Sequence, residues 1–402
     1  MNRIKQSGGW LMLVCLLVAC GGVQTTSVPT IVPASALQST NLRQVDLADQ
    51  GTIGLSPNGA WLITSKQAQL CVVATDTLLE KTCVEAKYVD FPTLAWSPDS
   101  RRVAWTEDWA KRAVDSDIWV LEVASGKLTN LTDDGFAGTM VQAVDTNAQI
   151  TVDVAPAWSP DGASLVFART PADRGSTNLY RVAATGGPPE QIALVTPGYG
   201  LAIYRGVFVH ADGSIIYTIA HGDTSYERNG VWRINADGSN PQQLVANKPF
   251  STDSPQKGVP IVADVNFSHA LLYWIKSTSR FFPSPNVSLY SLLDLQTGTV
   301  TPLKQVAEPS VLQTISFVGP TAATFSPDGG KILYTYRTAD FRPLLAVRDL
   351  ASDHEYALQT FESPETAIVG DPNGTGLNWA SNNLVYGSSV APNGMLLQLS
   401  TK

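Results

Sequence analysis

The chain has 402 residues, with 27 Lys plus Arg against 35 Asp plus Glu and a formal net charge of -8 at pH 7. That balance argues against a nucleic-acid coat, which needs a basic surface. Charged residues make up 15% and hydrophobic residues 44%, so a large core is available and disorder is excluded for most of the length.

From the N-terminus, Arg3 and Lys5 precede an apolar run over residues 10–18, too short to span roughly 30 Å of hydrocarbon as a mature helix. Residues 1–19 have the build of a signal peptide. The run closes on Leu17-Val18-Ala19-Cys20, which resembles a bacterial lipobox; the resemblance implies cleavage before Cys20 and a lipid on its thiol. The expected location is extracytoplasmic, anchored to a bacterial membrane on the periplasmic side or at the cell surface. Residues 20–40 carry no charge and are rich in Ser, Thr and Pro, the composition of a solvated tether. Of the four cysteines, Cys15 leaves with the signal and Cys20 takes the lipid. Cys71 and Cys83 remain, each six residues from Thr77. In an oxidising compartment they are expected to form a disulfide across a hairpin. Free thiols are an alternative, as is a metal site, although no His or further Cys lies nearby.

Seven copies of one pattern organise residues 41–402. LAWSPDSRRVAW from Leu94, PAWSPDGASLVF from Pro156 and ATFSPDGGKILY from Ala323 each carry an aromatic residue eight positions after the Ser: Trp105, Phe167 and Tyr334. Weaker copies place the equivalent of that Ser at Ser56, His210, Ser268 and Ala380, a mean spacing of about 54 residues. In each copy an apolar run ends at Ser, Pro fixes φ, and Asp and Gly supply a tight turn into a second apolar run. Strands centred on Trp119, Tyr180, Trp232 and Tyr290 follow, with turns at Gly126, Gly187, Gly238 and Gly298. Each copy is a predicted four-stranded meander whose faces only neighbouring copies can cover. The expected fold is all-β: a β-propeller of seven four-stranded blades, or six if a degenerate copy forms none. The last copy offers three strands, and residues 42–47 are expected to supply the fourth and close the ring. The repeated W/F-S-P-D-G turn with its following strands resembles the TolB-type, WD40-like propeller family over residues 51–402. Only the tether and some ten residues precede the first repeat, so the Tol-Pal role of that family's named member, which has a further α/β domain, is not carried over.

The chain has no G-x-S-x-G, H-E-x-x-H or C-x-x-C motif, and His210, His221, His269 and His354 are scattered. Binding is therefore expected ahead of catalysis, with no cofactor and no metal. A propeller-type enzyme acting on carbohydrate or peptide and a structural scaffold are the alternatives. Asp99, Asp161, Asp212 and Asp328 read as turn residues that accept from backbone amides rather than as a cation-binding ring. Asp371, Asn373 and Thr375 alternate like calcium ligands but lack a closing bidentate carboxylate.

Loop length is the more informative signal. The copies keep a near-constant span from turn Ser to closing strand, whereas the connections between copies vary. The loops between second and third strands are also long, as in TEDWAKRAVDS from Thr106 and KSTSRFFPSP from Lys276. In an antiparallel meander both sets emerge at one end. They hold Trp109, Arg112, Arg174, Tyr226, Arg228, Arg280, Phe281 and Arg342, and aromatic and Arg side chains are what interfaces use as anchors. Neighbouring acidic residues such as Asp108, Asp173, Glu227 and Asp340 offer Arg112, Arg174, Arg228 and Arg342 a merely local pairing. The expected function is that of a lipid-anchored monomer binding a protein, peptide or glycan through this end, with no nucleic acid.

Overall fold

The computed structural model describes residues 37–45, 50–66, 68–86, 89–107, 116–136, 151–171, 176–197, 206–220, 226–247, 259–275, 287–303, 322–337, 343–360, 377–388 and 394–401. Among them no helix is long and apolar enough to cross a membrane. The chain opens on β1 (Leu37–Val45). Blade 1 is β2 (Gln50–Leu55), β3 (Trp61–Lys66), β4 (Gln69–Ala74) and β5 (Glu80–Glu85). Blade 2 is β6 (Asp90–Trp96), β7 (Arg102–Thr106), β8 (Ile118–Glu122) and β9 (Leu128–Asn130). Blade 3 is β10 (Thr151–Trp158), β11 (Ser164–Pro171), β12 (Ser176–Ala183) and β13 (Glu190–Pro197). Blade 4 is β14 (Val207–Val209), β15 (Ile215–Ile219), β16 (Gly230–Ile234) and β17 (Gln242–Ala246). Blade 5 is β18 (Val259–Val265), β19 (His269–Ile275), β20 (Val287–Asp294) and β21 (Val300–Pro302). Blade 6 is β22 (Ala322–Phe325), β23 (Lys331–Arg337), β24 (Pro343–Asp349) and β25 (Glu355–Thr360). Blade 7 is β26 (Leu377–Trp379), β27 (Leu384–Ser388) and β28 (Gly394–Thr401), completed by β1.

The fold is thus a seven-bladed β-propeller, and the degenerate copies form blades like the others. Ring closure by an N-terminal strand holds, with a shifted boundary: the strand is Leu37–Val45 rather than residues 42–47, and it takes in four residues assigned to the tether. Blade 5 needs a second correction. Its turn has lost two residues, and the N–H of Asn266 donates to the His269 carbonyl as that of Ser97 does to Arg102. Asn266, not Ser268, is the equivalent of the turn Ser.

Period-two alternation along the strands explains why the sheets stack around an axis. Seven apolar clusters form, one in each gap between adjacent blades. Val103 and Trp105 of β7 enter the gap with blade 1, while Ala104 between them enters the gap with blade 3. Phe167, Tyr217, Trp274 and Tyr334 likewise face the preceding blade, which is where the repeated aromatic of the sequence goes. In blade 7 the shorter turn changes the phase: Val385 faces blade 6, and Tyr386 turns to the gap with blade 1.

The tight turns are built by their own side chains. In blade 2 the Ser97 hydroxyl donates to Asp99 Oδ1 at 2.7 Å, and Ser97 Oγ accepts from the N–H of Arg102 at 2.9 Å. Asp99 Oδ1 also accepts from the N–H of Arg101. The same set recurs at Ser159 and Asp161, at Ser326 and Asp328, and with Asn58 as acceptor at Ser56. The Ser hydroxyl bond holds the Asp99 and Asp161 carboxyls below the usual range. The residue after Asp has a left-handed backbone, φ 69° at Gly162 and 70° at Gly329, which glycine adopts without a Cβ penalty; blade 2 carries Ser100 there at 60°. Cys71 and Cys83 stand opposite each other in β4 and β5 and are joined, with an S–S distance of 2.04 Å.

Candidate partner-binding face

The strand bounds divide the two ends of the propeller sharply. At one end lie the turns from first to second strand, three to five residues each, and those from third to fourth, five to seven. The other end carries the second-to-third loops, which reach eleven residues before β8 and before β20, and the connections between blades, which reach twenty residues before β10 and nineteen before β22. Residues of the chain beyond what the sheets need are gathered at this second end.

Of the residues expected to line it, Tyr226 and Arg228 fall within the described structure, both just before β16. Tyr226 is half-buried against the cluster between blades 3 and 4. The Arg228 guanidinium lies over the Trp232 ring, 5.3 Å from its centroid, and the Trp232 indole N–H donates to the Arg228 carbonyl at 2.8 Å. Stacking on Trp232 preorganises Arg228 at the rim. Trp109, Arg112, Arg174, Arg280, Phe281 and Arg342 lie outside the described residues, as do Cys20, His221, Asp371, Asn373 and Thr375.

At the strand ends that flank two of the longest connections is a buried polar network that sequence reasoning missed. Asp153, near the start of β10, is fully buried and takes a bidentate pair of bonds from Arg169 of β11, Nε to Oδ1 at 2.7 Å and Nη2 to Oδ2 at 2.6 Å. Ser116 exchanges bonds with the same residue: the Asp153 N–H donates to the Ser116 carbonyl, and the Ser116 hydroxyl to the Asp153 carbonyl at 3.0 Å. Asp117 accepts from Asn130 Nδ2 at 2.7 Å and from the Thr132 hydroxyl, and Asp134 Oδ2 accepts from the Thr151 N–H. The described residues that flank 108–115 and 137–150 are therefore fixed on blades 2 and 3. Burial pushes the Asp117 carboxyl up; it pushes Asp153 up to about 6 against the opposing pull of Arg169. The signal that could have found this site is a lone carboxylate, Asp153, in the otherwise apolar run VDVAPAW.

The chain enters β1 at the tight-turn end. Leu37 pairs with Thr401, and β28 reaches Thr401 after starting at Gly394 on the long-connection end.

Against known proteins, the model of the dipeptidyl peptidase IV N-terminal region matches residues 65–192, from β3 to β13 and less than half of the chain. No curated protein matches the chain in sequence. Among solved structures, an oligogalacturonate lyase in complex with manganese is similar at TM-score 0.58 and 11% identity, covering 90% of this chain and 96% of that one. The oligogalacturonate lyase of Vibrio parahaemolyticus is similar at TM-score 0.56 and 10% identity, over the same shares. TolB from Acinetobacter baumannii has TM-score 0.40 and 14% identity, covering 88% of this chain and 82% of that one. At these identities the likeness to the lyases speaks to architecture and not to activity, and the chain is identified by its fold, a seven-bladed β-propeller.

Proposed function

We propose that the chain is a lipid-anchored, extracytoplasmic propeller that binds a protein or peptide partner, or a glycan, through its long-connection end. The observation that carries this reading is the gathering of excess chain at that end, since binding residues concentrate on loops held by a rigid scaffold.

The anchor is tested by replacing Cys20 with Ser, which is expected to leave unprocessed precursor without acyl label. Wild-type protein cleaved at another site and bearing a free Cys20 thiol in mass spectrometry would refute it. For the binding face, the partner recovered from envelope extract by the wild type is identified by mass spectrometry and its affinity measured against Trp109→Ala and Phe281→Ala. Anchor residues of an interface typically cost 2 kcal/mol or more on truncation, so a loss of about thirtyfold or more is expected, with circular dichroism unchanged. Unaltered affinity in both variants would place the interface elsewhere.

A further inference from the structure

Arginines elsewhere in the described structure spend their N–H groups inside the fold. Arg102, Arg181 and Arg233 each donate to a carbonyl of the following blade, at Gly162, Ala236 and Leu295. Arg43 donates to the carbonyls of Thr75 and Asp76, and Arg169 and Arg348 pair with Asp153 and Asp353. Arg228, at the long-connection end of blade 4, does neither. Among the described residues its guanidinium has no hydrogen-bond acceptor and no carboxylate partner, and Glu227 beside it in the chain makes no ion pair with it; what it touches is the face of Trp232.

The backbone that carries Arg228 is tied down on both sides. The Asn229 N–H donates to the Tyr226 carbonyl at 2.9 Å, and Gln243 Nε2 of β17 donates to the carbonyls of Glu227 and Asn229 at 3.3 and 3.1 Å. At Gly230, where β16 begins, φ is 142° and a Cβ would lie 2.0 Å from the Val245 carbonyl oxygen, so the chain is pressed onto β17 there. Trp232 lies in the gap between blades 3 and 4 with Tyr217, its cross-strand neighbour. Burial pushes the Tyr217 hydroxyl up to about 12, and the Arg228 charge opposes that shift. The guanidinium thus acts on a neutral phenol and not on an acid. A half-buried cation held on an indole, with its donors unspent and its backbone fixed, loses little entropy when an anion arrives.

We propose, on the reading that the long-connection end is the binding face, that Arg228 anchors a carboxylate of the partner: the Asp or Glu side chain of an acidic peptide segment with apolar residues on either side. The carboxylate lies in the guanidinium plane and accepts two parallel N–H bonds, and its apolar neighbours cover Tyr226 and the exposed part of Trp232. Half-buried aromatic surface beside the charge suits a carboxylate carried on an apolar peptide more than a bare hydrated anion. A lysine in this place would offer a point charge without the fork or the stack, so the fork is what selects a planar anion. On a chain of net charge -8 the attraction is local to this point.

The test is isothermal titration of the full-length protein in detergent with an acetylated, amidated Leu-Glu-Leu tripeptide, its glutamine and phosphoserine counterparts, and sodium glucuronate. The glutamate peptide is expected to bind about tenfold or more tightly than the glutamine peptide, the worth of a pair of charge-assisted hydrogen bonds, and to weaken as salt is raised. Arg228→Ala should bring the two peptides level, and Arg228→Lys should keep the charge yet leave the glutamate peptide about fivefold weaker than in the wild type, with circular dichroism unchanged in both variants. No binding of the glutamate peptide, equal affinity for the glutamate and glutamine peptides, or indifference to Arg228→Ala each overturns the proposal. So does tighter binding of the phosphoserine peptide or of glucuronate, which would assign the guanidinium to another anion. Failure here is separable from failure of the face itself. A partner lost with Trp109→Ala and Phe281→Ala but retained by Arg228→Ala leaves the face standing without this anchor. Glutamate-peptide binding that needs Arg228, with partner affinity unaltered in all three variants, leaves the carboxylate site standing and moves the partner elsewhere.

Discussion

Deleting residues 37–45 and joining the preceding segment directly to Asp46 is expected to lower the thermal midpoint by about 4 °C or more. The strand contributes eight paired positions along β28 and closes the ring at the point where no covalent turn does so. Val45, the last of them, is fully buried in the cluster between blades 7 and 1, and burial of a valine side chain alone is worth about 1.5–3 kcal/mol. Arg43 donates to the carbonyls of Thr75 and Asp76, in the turn between β4 and β5, so the same strand also ties blade 7 to blade 1. At about 1.3 °C per kcal/mol for a fold of this length, a loss of about 3 kcal/mol gives the stated shift. Leaving β28 as an unpaired edge adds a second readout, concentration-dependent aggregation. A midpoint equal to that of the wild type would mean that blade 7 stands on three strands.

Arg169→Met should destabilise the fold by about 3–5 kcal/mol at pH 8, because it leaves the carboxylate of Asp153 fully buried without its cation. The loss should depend on pH in a definite direction. Asp153 in the folded wild type has its pKa raised to about 6 from a reference of 3.8, chiefly by burial. Between those values the folded state holds a proton that the unfolded chain has released, so this group's contribution to stability falls as pH rises through the window and levels off above it. Without Arg169 the Asp153 pKa climbs further and the window extends upward. The variant can then fold with a neutral carboxyl at pH 5 but must bury a charge or take up a proton at pH 8. Urea unfolding at the two pH values reads the difference: the penalty for Arg169→Met should be smaller at pH 5. Adding Asp153→Asn should recover most of the loss at pH 8. Equal penalties at both pH values would show that Asp153 is not the group left uncompensated.

The features legible in the sequence are those whose contacts close within a few residues. The Ser97-to-Asp99 bond and its copies join side chains two positions apart to backbone five positions on, so the turn is written in four consecutive letters. Cys71 and Cys83 were readable for a similar reason, since hairpin partners lie symmetrically about their turn. The blade count followed from repetition, because a four-stranded sheet with two apolar faces needs a neighbour on each side.

Where the reading slipped, the deciding contact was remote or the local cue was coincidental. Ser268 imitates the turn residue of other blades, but the register of β18 and β19 gives that role to Asn266. Residues 38–40 are polar and, with Leu37, carry no strand pattern; they are extended because β28, more than 350 positions later, offers an unpaired edge. By itself the sequence determined the all-β meander, the number of its copies, the turn chemistry and the disulfide, each set by short-range geometry or by parity. Tertiary structure alone decided that Ser116 of blade 2 meets Asp153 of blade 3, and that Asp264 and Trp96 line one cavity three blades apart. Those meetings depend on strand register and on closure of the ring, which no local stretch of chain encodes.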